Sequence, residues 1–206
     1  MTDTAAEPVD LFGITRTVHR HSDLRGGLLS VGSARDYPVA AARLWTALTD
    51  PDELRQWFLP VSGELWPGGA FQAEGNAGGE IRKCERERLL RFTWGDESSI
   101  VELRLHEGAG VAASTRLELV HTVPLELAGD GTGAFYVGPG WDFALHALAA
   151  YLAGNALIVT GTRAEQVFNK QSLLAWALVV DASDTASPQD VADAVAVTLP
   201  QWAPDL

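Results

Sequence analysis

The chain has 206 residues, of which 47% are hydrophobic and 20% charged, a composition typical of a globular domain and not of a disordered chain. Lysine and arginine total 15 against 27 aspartate and glutamate, giving a formal net charge of -12. Phosphate backbones and anionic lipid surfaces would be repelled, so we expect no nucleic-acid partner and no membrane partner. The lone Cys84 excludes an internal disulfide, and the first residues lack the basic start and apolar run of a signal peptide. The sequence therefore predicts a cytoplasmic protein.

The first part of the chain is predicted to form two strands and two short helices. Strands are expected at 9–19 and 28–37, on either side of a glycine pair. Pro38 is predicted to open the first helix, whose apolar side chains recur at helical spacing. Asp50 is predicted to cap the second helix, with Glu53 three residues later completing a capping box.

Between residues 61 and 122 the hydrophobic period changes to two, and glycine-containing turns divide the segment into about six antiparallel strands. The four clearest strands are predicted at 80–85, 89–94, 98–106 and 111–122. Alternation assigns one face of the last three strands to the interior. These inner residues are Leu90, Phe92, Trp94, Val101, Leu103, Leu105, Val111, Ala113, Thr115, Leu117, Leu119 and His121.

The last third of the chain is predicted to be helical. The glycine-rich segment 128–140 is interpreted as a mobile loop at the mouth of the fold, and a long amphipathic helix is expected at 141–152. Two shorter helices are predicted at about 163–180 and 188–199. Their apolar faces are too small to stabilise them alone, so we expect them to pack on the preceding domain.

Several local phrases carry a family resemblance. They are Leu44-Trp45-Thr46-Ala47-Leu48-Thr49-Asp50-Pro51, Trp57-Phe58, Gly68-Gly69-Ala70-Phe71, Phe92-Thr93-Trp94 and Gly140-Trp141. Over about residues 28–155 the chain resembles the activator of heat-shock chaperone ATPase (AHSA-like) branch of the START-like, or SRPBCC, superfamily. The resemblance implies an α+β helix-grip fold, in which a curved antiparallel sheet wraps around a long C-terminal helix. Residues 1–27 would then be an N-terminal extension, 28–155 the START-like domain and 156–206 a helical extension.

A bent sheet wrapped around one helix encloses a cleft between two apolar faces, which suits a small hydrophobic molecule. The residues predicted to line this cavity are Trp45, Trp57, Phe58, Phe71, Phe92, Trp94, Leu103, Leu119, His121, Trp141, Leu145 and Leu148. Aromatic residues at core spacing more often belong to an ordinary packed core, so these residues are assigned to the cavity by topology only. No residue pattern indicates a cofactor, a metal site or a nucleotide-binding loop.

Three polar residues near the predicted cavity need an interpretation. His121 is the only ionisable inner residue of the last three strands, and we expect it to be neutral and to anchor a ligand by hydrogen bonds. The alternative places His121 at the rim, bonded to a carbonyl or water. His146 is predicted to flank the long helix, and Asp142 to favour the dipole of its first turn.

Three functions fit these observations. The first is a non-catalytic carrier or sensor of a small hydrophobic molecule, since the inner faces are apolar and no catalytic set occurs. The second, implied by the resemblance, is a chaperone cofactor whose acidic surface would meet a basic partner. The third is a polyketide cyclase or aromatase-like enzyme that uses His121 as acid or base.

Overall fold

The computed structural model describes residues 13–24, 26–108 and 113–206. It has an α+β fold in which eight strands form one antiparallel sheet, in the order β1-β2-β8-β7-β6-β5-β4-β3. The strands are Thr15–Asp23 (β1), Gly26–Tyr37 (β2), Val61–Gly63 (β3), Ala70–Ala73 (β4), Gly78–Glu85 (β5), Leu89–Trp94 (β6), Asp96–Glu107 (β7) and Thr115–Pro124 (β8). The helices are Ala41–Thr49 (α1), Pro51–Trp57 (α2), Leu125–Ala128 (α3), Ala134–Leu152 (α4), Arg163–Ala182 (α5) and Pro188–Trp202 (α6). The predicted helix-grip order is confirmed.

The first strand belongs to the main sheet. β1 pairs antiparallel with β2 along its whole length, with Val18 opposite Val31. The strand runs to Asp23, beyond the end predicted at residue 19, and residues 9–12 of the predicted strand lie outside the described residues. The segment interpreted as an N-terminal extension therefore supplies the edge strand of the sheet.

The start of α1 differs from the prediction. Pro38 lies in the turn after β2, where the Val39 N–H donates to the Tyr37 carbonyl at 2.8 Å. The helix begins at Ala41, so Pro38 does not open it. The Tyr37 carbonyl at the end of β2 is thus paired within the turn, before the helix starts.

Asp50 caps α2 as predicted, because its carboxylate accepts the Asp52 N–H at 2.7 Å. Glu53 does not complete the capping box. Its carboxylate instead accepts from the Arg43 guanidinium at 2.5 Å and from the Tyr151 hydroxyl at 3.2 Å. The side chain thereby ties α2 to α1 and to the end of α4.

The segment predicted as a mobile loop is largely helical. α4 begins at Ala134 and includes Gly138, Pro139 and Gly140, so the loop prediction was wrong from residue 134 onward. Tertiary packing explains the glycine, since a Cβ atom on Gly138 would lie 2.5 Å from the Trp176 ring. The absence of a side chain at Gly138 therefore makes room for the Trp176 indole of α5 against α4.

The proline in this helix is also compensated by tertiary structure. Pro139 has no N–H, so it cannot donate to the carbonyl four residues earlier, that of Phe135. The Trp202 indole N–H of α6 donates to that carbonyl at 2.8 Å. The helix can thus continue through the proline without leaving a buried acceptor unpaired.

Helix α5 packs against α4 and β1, and α6 packs against α5 and α4. They contribute to a buried apolar cluster, here called the tail core. Its members are Val18, Leu29, Val31, Ala134, Phe135, Leu173, Trp176, Val180 and Val191. A second cluster, the sheet core, lies between the inner faces of β5 to β8, helix α1 and the later part of α4. Within the described residues, no helix is both long and apolar enough to cross a lipid bilayer.

Candidate functional site

A cavity of about 350 Å³ lies between the concave face of the sheet, helix α2, strand β3 and the second half of α4. Its volume falls within the range of small-molecule sites, roughly 300–1,000 Å³. The residues that line it are Leu48, Thr49, Pro51, Leu54, Trp57, Phe58, Val61, Ser62, Gly63, Glu64, Leu65, Phe71, Ile81, Leu90, Phe92, Trp94, Leu103, Leu117, Leu119, Trp141, Ala144, Leu145 and Leu148.

Most of the residues predicted to line a cavity lie on its wall. The ten that do so are Trp57, Phe58, Phe71, Phe92, Trp94, Leu103, Leu119, Trp141, Leu145 and Leu148. Trp45 and His121 do not. Trp45 belongs to the sheet core and is 7% exposed, whereas the cavity is lined by Leu48 and Thr49 at the end of α1.

The sequence reasoning missed the outer wall. Helix α2 contributes Pro51 and Leu54, and strand β3 with the following residues contributes the segment 61–65. The one signal available was Leu54, the buried residue of a seven-residue helix otherwise rich in polar side chains. The cavity is consequently bounded by short elements on one side and by the sheet and α4 on the other.

The aromatic side chains form one contiguous cluster with Trp94 at its centre. The Trp94 ring lies 5.4 Å from Trp141 and 6.2 Å from Phe71, and Phe71 meets Phe92 edge-on at 5.3 Å. Phe58 approaches Trp94 at 6.5 Å from the side of α2. Such ring pairs add stabilisation beyond burial, so this part of the wall is held in shape by its own contacts.

Two of the indole N–H groups on the wall are already used by the protein. The Trp57 N–H donates to the Ala47 carbonyl at 3.0 Å, and the Trp141 N–H donates to His121 Nδ1 at 3.1 Å. These two rings therefore present carbon surface to the cavity, and their donors are not available to a ligand.

His121 lies on the inner face, as alternation predicted, but behind Trp141. It is 3% exposed, and burial lowers the pKa of its imidazole to about 4, so the ring is neutral at pH 7. Because Nδ1 accepts from Trp141, the proton of the neutral ring is on Nε2, which donates to Ser99 Oγ at 2.8 Å. His121 was predicted to anchor a ligand, but both of its nitrogens are already bonded within the protein. Its place in the structure is to orient the Trp141 indole.

Polar groups on the wall lie toward its solvent edge. Ser62 and Glu64 are exposed and lie within or beside β3. Thr49, at the end of α1, donates its hydroxyl to the Trp45 carbonyl at 2.7 Å. Among the lining residues that the structure describes, Glu64 is the only ionisable one.

Asp142 was predicted in the first turn of its helix, but α4 begins at Ala134, seven residues before the predicted start at 141, so Asp142 lies well inside the helix. It is fully buried and accepts from Arg16 at 2.7 Å, Ser33 at 3.1 Å, Ser172 at 2.5 Å and the Trp176 indole at 3.0 Å. Burial raises the pKa of this carboxyl, and the Arg16 guanidinium opposes the rise. Asp142 thus joins β1, β2 and α5 to α4.

His146 lies on the flank of α4, as predicted, and its ring is 5.1 Å from that of Phe168 in α5. Burial lowers the pKa of its imidazole, and the positive charge of Arg35 lowers it further. The residue therefore contacts the tail helices and does not line the cavity.

Comparisons with known proteins place the chain in a family. A family model described as Activator of Hsp90 ATPase homolog 1-like protein matches residues 38–153. The crystal structure of CalU16 from Micromonospora echinospora superposes with a TM-score of 0.68 at 30% sequence identity, over 82% of this chain and 98% of CalU16. A comparison with curated proteins finds no match.

More distant structures share the fold. A conserved protein of unknown function from Enterococcus faecalis superposes with a TM-score of 0.59 at 19% identity, over 79% of this chain and 91% of that one. DynU16, a putative protein in the dynemicin biosynthetic locus, superposes with a TM-score of 0.50 at 22% identity, over 60% of this chain and 47% of that one. At these identities the likeness extends to architecture alone.

Proposed function

The chain belongs to the family of Activator of Hsp90 ATPase homolog 1-like proteins, and on this premise we propose that it binds a small hydrophobic molecule as a non-catalytic carrier or sensor. The observation that carries the proposal is the cavity of about 350 Å³ between the sheet, α2 and α4. Its wall is almost entirely aromatic and aliphatic, and burial of apolar ligand surface against such a wall favours binding.

The order of the wall supports binding over incomplete packing. The rings around Trp94 hold one another at contact distances, and the indole of Trp141 is fixed by His121. A ligand entering a wall already in place loses less free energy to ordering side chains. We therefore propose that the predicted lining residues that lie on the wall are the ligand-binding residues.

The test is binding of N-phenyl-1-naphthylamine, a neutral dye whose fluorescence rises in apolar surroundings. Leu145 of α4 lines the cavity, and Leu145→Trp should fill it and reduce dye binding at least tenfold while leaving the circular dichroism spectrum unchanged. Leu178→Trp is the matched control, because Leu178 is 68% exposed on α5 and adds the same chromophore away from the cavity. Unchanged dye binding in Leu145→Trp would contradict the proposal.

A second candidate function, a chaperone cofactor, follows from the family description, which names activators of the Hsp90 ATPase. The net charge of -12 would favour a basic face on the partner. Native mass spectrometry of the protein isolated from its host distinguishes the two. A retained small molecule supports the carrier, and a bound Hsp90-type chaperone supports the cofactor.

The enzymatic alternative stays a prediction. A cyclase-like reaction would need an acid or base in contact with the bound molecule, and His121, the residue predicted for that role, is separated from the cavity by Trp141. We also propose a cytoplasmic location, which the composition and the single cysteine support.

A further inference from the structure

The cavity wall offers no partner for a negative charge. Among its described lining residues there is no lysine, arginine or histidine, and the one ionisable side chain is the acidic Glu64 at the solvent edge. An ionised group placed in apolar surroundings without a counter-ion is strongly disfavoured. A ligand carboxylate would therefore lose hydration without gaining an ion pair.

Basic side chains on the elements that form the wall are already paired with acids. Arg55 of α2 lies 2.7 Å from Asp52, and Arg82 of β5 lies 2.7 Å from Glu80. Both arginines are exposed and belong to short-range pairs on the outer surface. Neither supplies a free cation at the mouth to hold a carboxylate in the way that anion-binding sites do.

Neutral polar groups of a ligand are expected to be tolerated in the cavity better than charged groups. A hydroxyl or carbonyl costs far less to bury than a charge, and the exposed Ser62 at the edge of the wall offers a hydroxyl that can donate or accept. An ammonium group would pay for desolvation but would be attracted to Glu64. The wall thus ranks head groups in the order neutral, cationic, anionic.

We infer that the cavity selects uncharged apolar molecules and rejects carboxylates of the same size and shape. This inference rests on the proposed function, since it specifies the chemistry of the molecule bound there. It separates the site from those that take up fatty acids or other apolar carboxylates, whose anionic end needs a basic residue.

The test uses three competitors with one ring system and different head groups, added to the complex with N-phenyl-1-naphthylamine at pH 7.5. They are 2-naphthylmethanol, 2-naphthylmethylamine and 2-naphthoate. We expect the alcohol to displace the dye at the lowest concentration and 2-naphthoate to need at least ten times more. The amine should fall between them.

The effect of charge at the mouth is tested with Glu64→Lys. This variant should lower several-fold the ratio of the 2-naphthoate concentration to the 2-naphthylmethanol concentration needed to displace the dye. Glu74→Lys is the matched control, because Glu74 is exposed, does not line the cavity and gives the same change in net charge. Glu74→Lys should leave this concentration ratio unchanged. Equal displacement by 2-naphthoate and 2-naphthylmethanol in the unmodified protein, with the dye still bound, overturns this inference alone. Failure of the dye to bind overturns the proposed function as well.

Discussion

The two halves of α4 lie against surfaces of opposite kind. In the first half, Gly138 is so close to Trp176 that a Cβ atom would clash with the indole. In the second half, Ala144, Leu145 and Leu148 face a cavity of about 350 Å³. The tail helices pack tightly against the first half of α4. The second half of α4 instead borders the cavity, so these two parts of the molecule are called the packed half and the hollow half. Stability and ligand binding are therefore expected to depend on different ends of one helix, and substitutions should separate them.

The most severe test removes the tail. Truncation after Asn155 deletes Phe168, Leu173, Trp176 and Val180, each at most 2% exposed. Losing a large buried side chain costs about 2–5 kcal/mol, so the sum of roughly 10 kcal/mol matches the whole stability of a typical domain. We expect no cooperative thermal transition in the truncated protein. A truncated chain that melts as high as the full one would show that the tail is independent.

The next largest effect is expected at Asp142. Asp142→Ala leaves the Arg16 guanidinium buried without its carboxylate, which should lower the free energy of unfolding by about 3–5 kcal/mol in urea denaturation. Dye affinity should stay within twofold, because Asp142 bonds to β1, β2 and α5 and does not line the cavity. The double variant Arg16→Met with Asp142→Leu should recover most of the lost stability. If the double variant is no more stable than the single one, the ion pair is not the cause.

A third prediction concerns the buried imidazole of His121, behind Trp141. His121 has a pKa of about 4 when folded against 6.5 ordinarily, so below pH 6.5 the unfolded chain takes up the proton first. The free energy of unfolding should therefore fall as the pH is lowered, by about 2 kcal/mol for this group between pH 7 and pH 5.

His121→Phe removes that contribution, so its stability should fall less between pH 7 and pH 5 than that of the unmodified protein. Urea denaturation at the two pH values measures the difference. An identical dependence in His121→Phe would contradict the buried, neutral imidazole.

The smallest predicted effect compares two glycines of the same helix. Gly138→Ala places a methyl group 2.5 Å from the Trp176 ring, whereas Gly140→Ala meets Trp202 at an ordinary 3.5 Å. Overpacking costs about 1–3 kcal/mol, and replacing a helical glycine by alanine returns about 1 kcal/mol. Gly138→Ala should therefore be destabilised relative to Gly140→Ala in thermal melts. If Gly138→Ala melts at a higher temperature than Gly140→Ala, the tail helices can move away at this contact to make room for the methyl group.

The sequence predicted the hollow half of the molecule better than the packed half. Period-two alternation in β6 to β8 identified Phe92, Leu103 and Leu119 as inner residues because each strand fixes its own faces locally. The position of His121 followed from the same alternation. Its partner did not, because which ring covers an inner side chain depends on α4, far away in the chain.

The packed half depends on contacts that no local pattern records. Glycine and proline at 138–140 indicated a loop, since both weaken an isolated helix. The helix exists there because Trp176 needs the space beside Gly138 and Trp202 supplies the donor that Pro139 lacks. Placing the helix start at residue 141 then made Asp142 a first-turn residue. One misplaced boundary thus concealed the buried network around Arg16.

The bond between Trp202 and the Phe135 carbonyl also bears on the order of folding. The donor follows the acceptor by 67 positions in the chain. During synthesis, the first half of α4 therefore emerges long before Trp202. Until Trp202 is made, the Phe135 carbonyl lacks the indole donor that it has in the folded protein. Contacts of such sequence separation close late and slowly, because a long loop has to be ordered first. The strands from β3 to β8 can begin to pair with their neighbours in sequence before the tail helices are made, but the fold is completed only when α5 and α6 have packed against α4.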